Sequence, residues 1–295
     1  MDPVQIEHHR VIAFGRNLAM APQTGEFKLQ NAVECDLNFT EPGKYFTDEI
    51  IGKSDPQEMT DRYGPTPSKE PNRGRRIGVF TPLEDANWLG DNIDKVRQQV
   101  TDPANAIVTA MRFGQYRARD QKILTSLYAP AREGETGETV VPFPAGNVLT
   151  NSGKLTLAKL RSASLFHDNG KVLGEERFWV GGASDKSKLL EEDKVTSAEY
   201  AAIKALVNGE IDTFMGFKFI WFADDEIPIV GGKRRNISFK KTGNQYKSRP
   251  IVGGETAKVW TRTDRKGNWE AYLNFDHGFL RRHDASVCVH DCDDT

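Results

Sequence analysis

Hydrophobic and polar positions change period several times along the chain, and each change marks an element. Val33, Cys35 and Leu37 alternate with Glu34, Asp36 and Asn38, a period of two that predicts a strand. Pro42-Gly43 interrupts it, and Lys44-Tyr45-Phe46-Thr47 resumes it. The run from Gly64-Pro65-Thr66-Pro67 to Pro71-Asn72-Arg73-Gly74 is a turn-rich tip, and Arg75-Arg76-Ile77-Gly78-Val79-Phe80 returns. Residues 33–82 therefore read as a long two-stranded excursion with little apolar content, and a lone hairpin needs something to lie on. Before it, residues 1–32 read as an arm, broken by Pro3, Pro22 and two glycines.

The period becomes helical at Asp102-Pro103. Asp accepts from orphan amides there, and Pro at the first helical position loses none that matters. Ile107, Ala110, Met111, Gly114, Ala118, Leu124, Leu127 and Tyr128 sustain the pattern up to Pro130. At 1.5 Å per residue this predicts a spine about 39 Å long, with Arg112, Arg117, Arg119 and Lys122 on a solvated face. A Gly/Glu/Thr/Pro segment, 132–144, places a boundary near 150. A helix over 155–166 follows, stopped at Asn169-Gly170, then a buried strand over 177–182. Thr196-Ser197-Ala198-Glu199 is a capping box opening a helix with Tyr200, Ile203, Leu206 and Val207 on one face. Phe217, Phe219 and Trp221 alternate with Lys218, Ile220 and Phe222 in a strand apolar on nearly both faces. The last strands are expected over 257–263, 269–275 and 285–289, the first two joined by a turn at Lys266-Gly267-Asn268. The apolar residues thus collect in the spine, the 151–222 unit and the final strands, leaving 1–82 almost without a core.

Composition adds limits. The 295 residues carry 40 Lys+Arg against 42 Asp+Glu, a net charge of -2 that argues against a strongly basic nucleic-acid binder as a whole-chain description. No apolar run approaches the length of a membrane span. The first residues show no basic and apolar leader, so the chain is expected to stay in the cytosol where it is made. Cys35, Cys288 and Cys292 are odd in number and read as reduced thiols.

Motifs for catalysis are weak. Gly146 to Leu155 has six residues between its glycines and Leu155 after Lys154, so it is no phosphate-binding loop. Cys288, His290 and Cys292, with His283 nearby, could share one strand face and hold zinc, against the plainer reading of a terminal strand with small apolar cysteines. His277 beside Asp276 lacks a nucleophile and reads as a surface turn. Two basic patches remain: Arg73, Arg75 and Arg76, and the run from Lys233, Arg234 and Arg235 through Lys240, Lys241, Lys247 and Arg249, with no acidic residue between Gly231 and Gly254. Either could contact phosphates or acidic surfaces of neighbouring copies, as mobile basic loops.

The order of pieces resembles the major capsid protein of tailed double-stranded DNA bacteriophages, the Hong Kong 97-type α+β fold. Pro71-Asn72-Arg73-Gly74-Arg75-Arg76 is similar to the end of that family's extended loop, and Asp102-Pro103-Ala104-Asn105 to the start of its spine helix. Val195-Thr196-Ser197-Ala198-Glu199-Tyr200, with Lys204-Ala205-Leu206-Val207-Asn208-Gly209-Glu210-Ile211-Asp212-Thr213-Phe214-Met215-Gly216-Phe217, resembles one branch's most distinctive stretch. The resemblance implies an N-terminal arm (1–32), an extended loop (33–82), a peripheral domain (83–150 with return strands 256–295) and an axial domain (151–255). It departs from close relatives at Arg16 to Phe27 and in the long basic segment within 223–255.

The function so implied is a shell subunit without cofactor, metal or catalytic centre, assembling with itself into hexamers and pentamers around packaged double-stranded DNA. Its other implied partners are a portal protein at one vertex, a separate scaffolding protein and a decoration or cement protein, with no membrane. Assembly would take place in the bacterial host cytoplasm and the product would be the virion shell. Two other classes stand beside it: a DNA-binding protein using 233–249, which requires steeply salt-dependent binding by the free subunit, and a metal-dependent enzyme around Cys288 and His290, which requires bound zinc.

Overall fold

The structure, a computed structural model, describes residues 21–59, 62, 64, 68–90, 104–150, 153–189, 213–251, 258–265 and 268–293. The helix start at Asp102-Pro103, the capping box at Thr196 with its helix, the Lys266-Gly267 turn and residues 1–20 of the expected arm lie outside them. In chain order the first strands are β1 (Glu34–Asp36), β2 (Tyr45–Ile51), β3 (Arg73–Val79) and β4 (Thr81–Gly90), followed by helix α1 (Ala104–Leu127). Then come β5 (Ala131–Glu133), β6 (Thr139–Val141), β7 (Val148–Leu149), α2 (Leu157–Asn169), β8 (Arg177–Gly182) and α3 (Ala183–Lys188). The remaining strands are β9 (Thr213–Phe214), β10 (Phe217–Phe222), β11 (Ile229–Val230), β12 (Lys233–Lys240), β13 (Asn244–Pro250), β14 (Lys258–Arg262), β15 (Asn268–Arg281) and β16 (Val287–Asp293).

The chain divides into two units, and neither follows the expected segments. The first draws on Met1–Glu26, Pro82–Arg117 and Pro250–Phe275, the second on Phe27–Thr81, Ala118–Arg249 and Asp276–Thr295. In the first unit β4 and β14 both pair with β15, and β14 is antiparallel from Lys258↔Tyr272 to Arg262↔Asn268. Arg262 sits between Asp264 (2.8 Å) and Glu270 (2.7 Å). These strands match the expected 257–263 and 269–275, but β15 runs on to Arg281.

The second unit holds a seven-stranded sheet in the order β7-β16-β12-β8-β10-β9, with β11 on β12. Its core joins Leu155, Leu157, Leu160 and Ala163 of the α2 region to Trp179, Phe217, Leu189 and Cys292. The N-cap of α2 is Thr156, which accepts from the Lys159 amide. Its stop falls at Asn169-Gly170 as expected, yet Gly170 keeps a right-handed φ and Lys171, at φ 49°, takes the left-handed position. Between β9 and β10, Met215 and Gly216 have φ of 51° and 81°, the geometry of a two-residue hairpin turn.

Pairing places both the last strands and the basic segment. The return strands 256–295 are not one piece: β16 pairs with β12 from Lys233↔Asp293 to Phe239↔Val287 and so closes the same sheet as β8 and β10. The basic segment after Gly231 is no loop, because β12 is an interior strand between β16 and β8. Its polar side chains are buried by pairing. His167 Nε2 and His290 Nε2 lie 3.0 and 3.1 Å from Ser238 Oγ, while Lys159 Nζ donates to Gly153 O (2.8 Å), Asp291 O (3.0 Å) and Cys292 Sγ (3.5 Å).

Among the described residues the spine runs for 24 residues, Ala104–Leu127, about 36 Å. Arg112 is exposed as expected, but Arg119 is buried with its guanidinium 5.8 Å from the Phe27 ring, and Lys122 is half-buried. Residues 1–82 also contain more core than expected: Phe27, Leu29, Ala32 and Val33 are buried. The spine fixes them through Asp120, whose carboxylate accepts from the Leu29 (3.0 Å) and Lys28 (3.2 Å) amides and whose burial pushes its pKa up to about 7.

Buried neutral histidines make folding pH-dependent. Burial lowers His167 to about 4 and His277 and His290 to about 3, from 6.5. Below pH 6.5 the unfolded chain binds protons that these rings refuse, so stability falls as pH drops toward 4. Asp120 acts oppositely, since between 3.8 and 7 its folded form holds the extra proton. Urea midpoints should therefore fall from pH 7 to pH 5, and fall further in Asp120→Asn, where the opposing group is gone.

Candidate functional site at the hairpin root

The excursion is a real hairpin. β2 and β3 pair antiparallel from Tyr45↔Val79 to Ile51↔Arg73, and β5 and β6 add to β3 to make four strands. The strand expected at 33–37, however, leaves it: β1 pairs parallel with β13, Cys35 opposite Tyr246. The Glu138 carboxylate accepts from the Glu135 and Thr136 amides in the β5–β6 turn, and such bonds hold its pKa at about 2.

Along β2, Phe46, Asp48 and Ile50 point inward and their neighbours outward, so the hairpin offers one large ring to a core. That ring is spent at the root. Phe46 packs on Phe80 (centroids 5.0 Å) with Phe39 and Leu280 completing the cluster. Backbone comes unusually close there. A Cβ on Gly78 would fall 2.1 Å from the Phe46 ring, and one on Gly278 2.6 Å from it, so both glycines are required by contact.

Cations cover these rings. Lys247 Nζ stands 4.3 Å from the Phe39 centroid, and the Arg249 guanidinium 4.3 Å from that of Phe80. Arg249 also grips Asp276 through Nε (3.2 Å) and Nη2 (2.8 Å) and donates to the carbonyls of Glu41 (2.9 Å) and Gly43 (2.6 Å), fixing the turn into β2. On the other flank, Arg282 bonds Asp48 of β2, Glu34 of β1 (2.9 Å) and the Thr242 carbonyl (2.6 Å). Arg76 of β3 bridges Glu133 (3.2 Å) and Asp284 (2.8 Å), and Arg281 shares Asp284 (2.8 Å).

A cleft of about 610 Å³ lies between the outer half of the hairpin, Glu49–Gly52 and Asn72–Arg76, and two turns, Gly170–Leu173 and Arg282–Ala285. Its lining mixes Glu49, Arg75, Lys171 and His283 with exposed apolar side chains, Ile51 at 73% and Leu173 at 84%. It offers no nucleophile beside a base. It can hold another polypeptide segment by mixed charge and apolar contact.

The predicted site residues fall in two places. Arg73 is exposed near the free end of the hairpin, Arg75 pairs with Glu49 across the strands (2.7 Å) and keeps that carboxyl below its usual range, and Arg76 is nearly buried at the root. Of the second patch, Lys233 is half-buried, Arg234 is buried against Asp185 (3.4 Å) and Asp224 (3.3 Å), and Arg235 meets Asp291 (3.5 Å) and the Tyr128 ring. Lys240 donates to the Val172 carbonyl (2.8 Å), and Lys241 pairs with Glu176 (3.4 Å). The structure does not bring the two patches together.

Cys288, His290 and Cys292 do share a buried strand, with the ring and the second thiol bonded to protein atoms; among the described residues no three His, Cys, Asp or Glu side chains form a metal-holding group. His277 is no surface turn: it is buried with Nδ1 3.2 Å from the Tyr246 hydroxyl. Sequence reasoning missed Arg281, Arg282 and Asp284, for which the dense charge of Arg281-Arg282-His283-Asp284 was the available signal, and it placed Arg249 in a basic patch and Asp276 in a surface turn without joining them.

Comparison with known proteins now gives the context. The fold matches the capsid of the cyanophage P-SCSP1u at a TM-score of 0.72 and 12% identity, covering 98% of this chain and 95% of that one. It matches Gordonia phage Cozz at 0.68 and 10%, covering 99% and 94%, and the capsid of Ralstonia phage GP4 at 0.66 and 13%, covering 94% and 93%. Likeness at such identities shows the fold, and it meets the expectation of a Hong Kong 97-type capsid subunit. No curated protein sequence matches. Among the described residues no helix is long and apolar enough to cross a membrane. A family model described as phage capsid protein matches residues 6–294, nearly the whole chain, and the chain therefore belongs to the phage capsid protein family.

Proposed function

We propose that this chain is the major head protein of a tailed bacteriophage, assembling as hexamers and pentamers into an icosahedral shell around packaged double-stranded DNA. The observation that carries the reading is the hairpin: its root is fixed by three clustered rings and two arginine clamps, while its outward positions, Tyr45, Thr47, Glu49 and Ile51, and residues 53–59 stay exposed. A projecting ribbon so firmly held at one end is what a subunit needs to bury surface on a neighbour. Closed rings follow when each copy repeats the same head-to-tail contact.

In this reading the role is structural, with no catalytic centre, and Arg73, Arg75, Arg76, Lys233, Arg234, Arg235, Lys240 and Lys241 divide by burial. Arg73 and Arg75 are placed to meet another copy or a polyanion, while Arg234 and Lys240 hold the seven-stranded sheet together. Residues 33–82 act as the extended loop, the first unit supplies the peripheral part and the seven-stranded sheet the axial part. A portal protein at one vertex, a separate scaffolding protein, a decoration protein and the packaged DNA complete the partners, and assembly takes place in the bacterial host cytoplasm.

Negative-stain microscopy of the chain expressed alone should show capsomers or closed shells, and dispersed monomers at every concentration would overturn the proposal. Uniform shells of correct size without any other viral protein would remove the scaffolding partner only. The root can be tested in the free subunit. Gly78→Ala forces a methyl into the Phe46 ring and should lower stability by about 1–3 kcal/mol in urea titrations. Arg249→Met should cost about 2 kcal/mol, because it strands the nearly buried Asp276, and Arg249→Lys, which keeps charge without the fork, should fall between.

A further inference from the structure

Arg76 also lines a second cleft, of about 430 Å³, between the hairpin root, the C-terminal half of α1 and the end of β15. Four cations line it, Arg76, Lys122, Arg132 and Arg281, with the hydroxyls of Thr81 and Ser126 and no carboxylate. Among the described residues these cations are incompletely matched. Lys122 Nζ reaches only the Thr81 hydroxyl, at 3.3 Å, and no carboxylate lies within ion-pair distance of it among the described residues. Arg132 Nη1 donates to the Gly137 carbonyl (3.1 Å). Arg76 pairs with Asp284 and Glu133, and Arg281 with Asp284 and the Leu127 and Ala129 carbonyls, yet Arg76 Nη1 and Arg281 Nη2 are buried with no partner among the described residues.

The cost to an isolated subunit falls mainly on Lys122, a half-buried ammonium with one hydroxyl for a partner, and on one leftover nitrogen of each guanidinium. Burial accordingly lowers the Lys122 pKa. Clustered cations in a walled recess focus a field that attracts an anion. The recess also has apolar walls from Ile77, Val79 and Leu280, which suit an anion carried on a hydrocarbon stem. A nucleic-acid phosphate would leave those walls unused.

We propose that this recess is a docking site for a carboxylate side chain, Asp or Glu, of a second copy of the chain, with Lys122 as its ion-pair partner and Arg132 at the rim. The inference rests on the shell reading above. It implies that the charge left unmatched in the free subunit is matched on assembly.

Lys122→Glu should leave the circular dichroism and urea midpoint of the free subunit close to wild type, and lower the yield of shells or capsomers by at least about tenfold, because like charges would then face each other. Lys122→Arg should assemble normally. Should Lys122→Glu not fold, Lys122→Met serves, and its assemblies should lose part of the wild-type sensitivity to salt. If these variants assemble and melt as wild type does, the docking site is overturned and the shell reading stands; if wild type never assembles, both fall. Inorganic phosphate added to the free subunit provides the other arm. A rise in its melting temperature that Lys122→Met abolishes would make the recess a site for a small free oxyanion and overturn the second-copy assignment, whereas no rise supports it. Loss of stability confined to DNA-filled shells would assign the recess to DNA and overturn it too.

Discussion

A narrow sheet cannot keep its shape alone in water, so the hairpin, even with β5 and β6 on one edge, depends on how its root is tied down. The tie is made by the guanidinium of Arg249, which lies on Phe80, closes on Asp276 and holds the Glu41 and Gly43 carbonyls at once. Each contact alone is modest. Together they join the turn entering the hairpin, the strand leaving it and the last long strand of the fold. Only arginine has the planar face for the ring and enough donors for the other three.

The seven-stranded sheet applies the same logic to charge in its interior. Arg234 is buried among Asp185, Asp224 and the Ser184 hydroxyl, and Asn236 donates to Asp185 from the same strand. Burying an ion costs several kcal/mol unless its hydrogen bonds are supplied. Here the donors and acceptors come from elements far apart in the chain, so the sheet must be complete before the cost is offset. That favours one register for β12 over slips by one residue, which would turn Arg234 away from its acids.

Much of the fold was legible because local chemistry announced it. The spine, the 177–182 and 217–222 strands and the hairpin of 45–79 all follow from periodicity or from residues that stop it. What escaped depended on distant partners. Lys233-Arg234-Arg235 reads as a solvated loop because nothing nearby shows the acids of 185, 224 and 291 that receive it. The pairing of β16 with β12 was not legible, because strand order is decided by packing that a period of two cannot specify. At the root, Arg73, Arg75 and Arg76 were visible as a patch, but burial separates them: one is free, one spans the hairpin and one is built into its base. The arginines that clamp the root stand some 200 residues away from it in sequence and carry no motif.

The contact of Phe46 with Gly78 and Gly278 has a mechanical consequence. With no side chain on either glycine and a ring filling the space, the base of the ribbon has no slack, so it behaves as a fulcrum and the strands beyond it as a lever. The five strand residues beyond Phe46 reach about 17 Å at roughly 3.4 Å each, so a tilt of about 5° at the base would carry the far end sideways by about 1.5 Å. Slight re-seating of one aromatic ring would thus be amplified to the scale of a lost or gained contact, making the root the place where a whole lattice of such levers can be tuned.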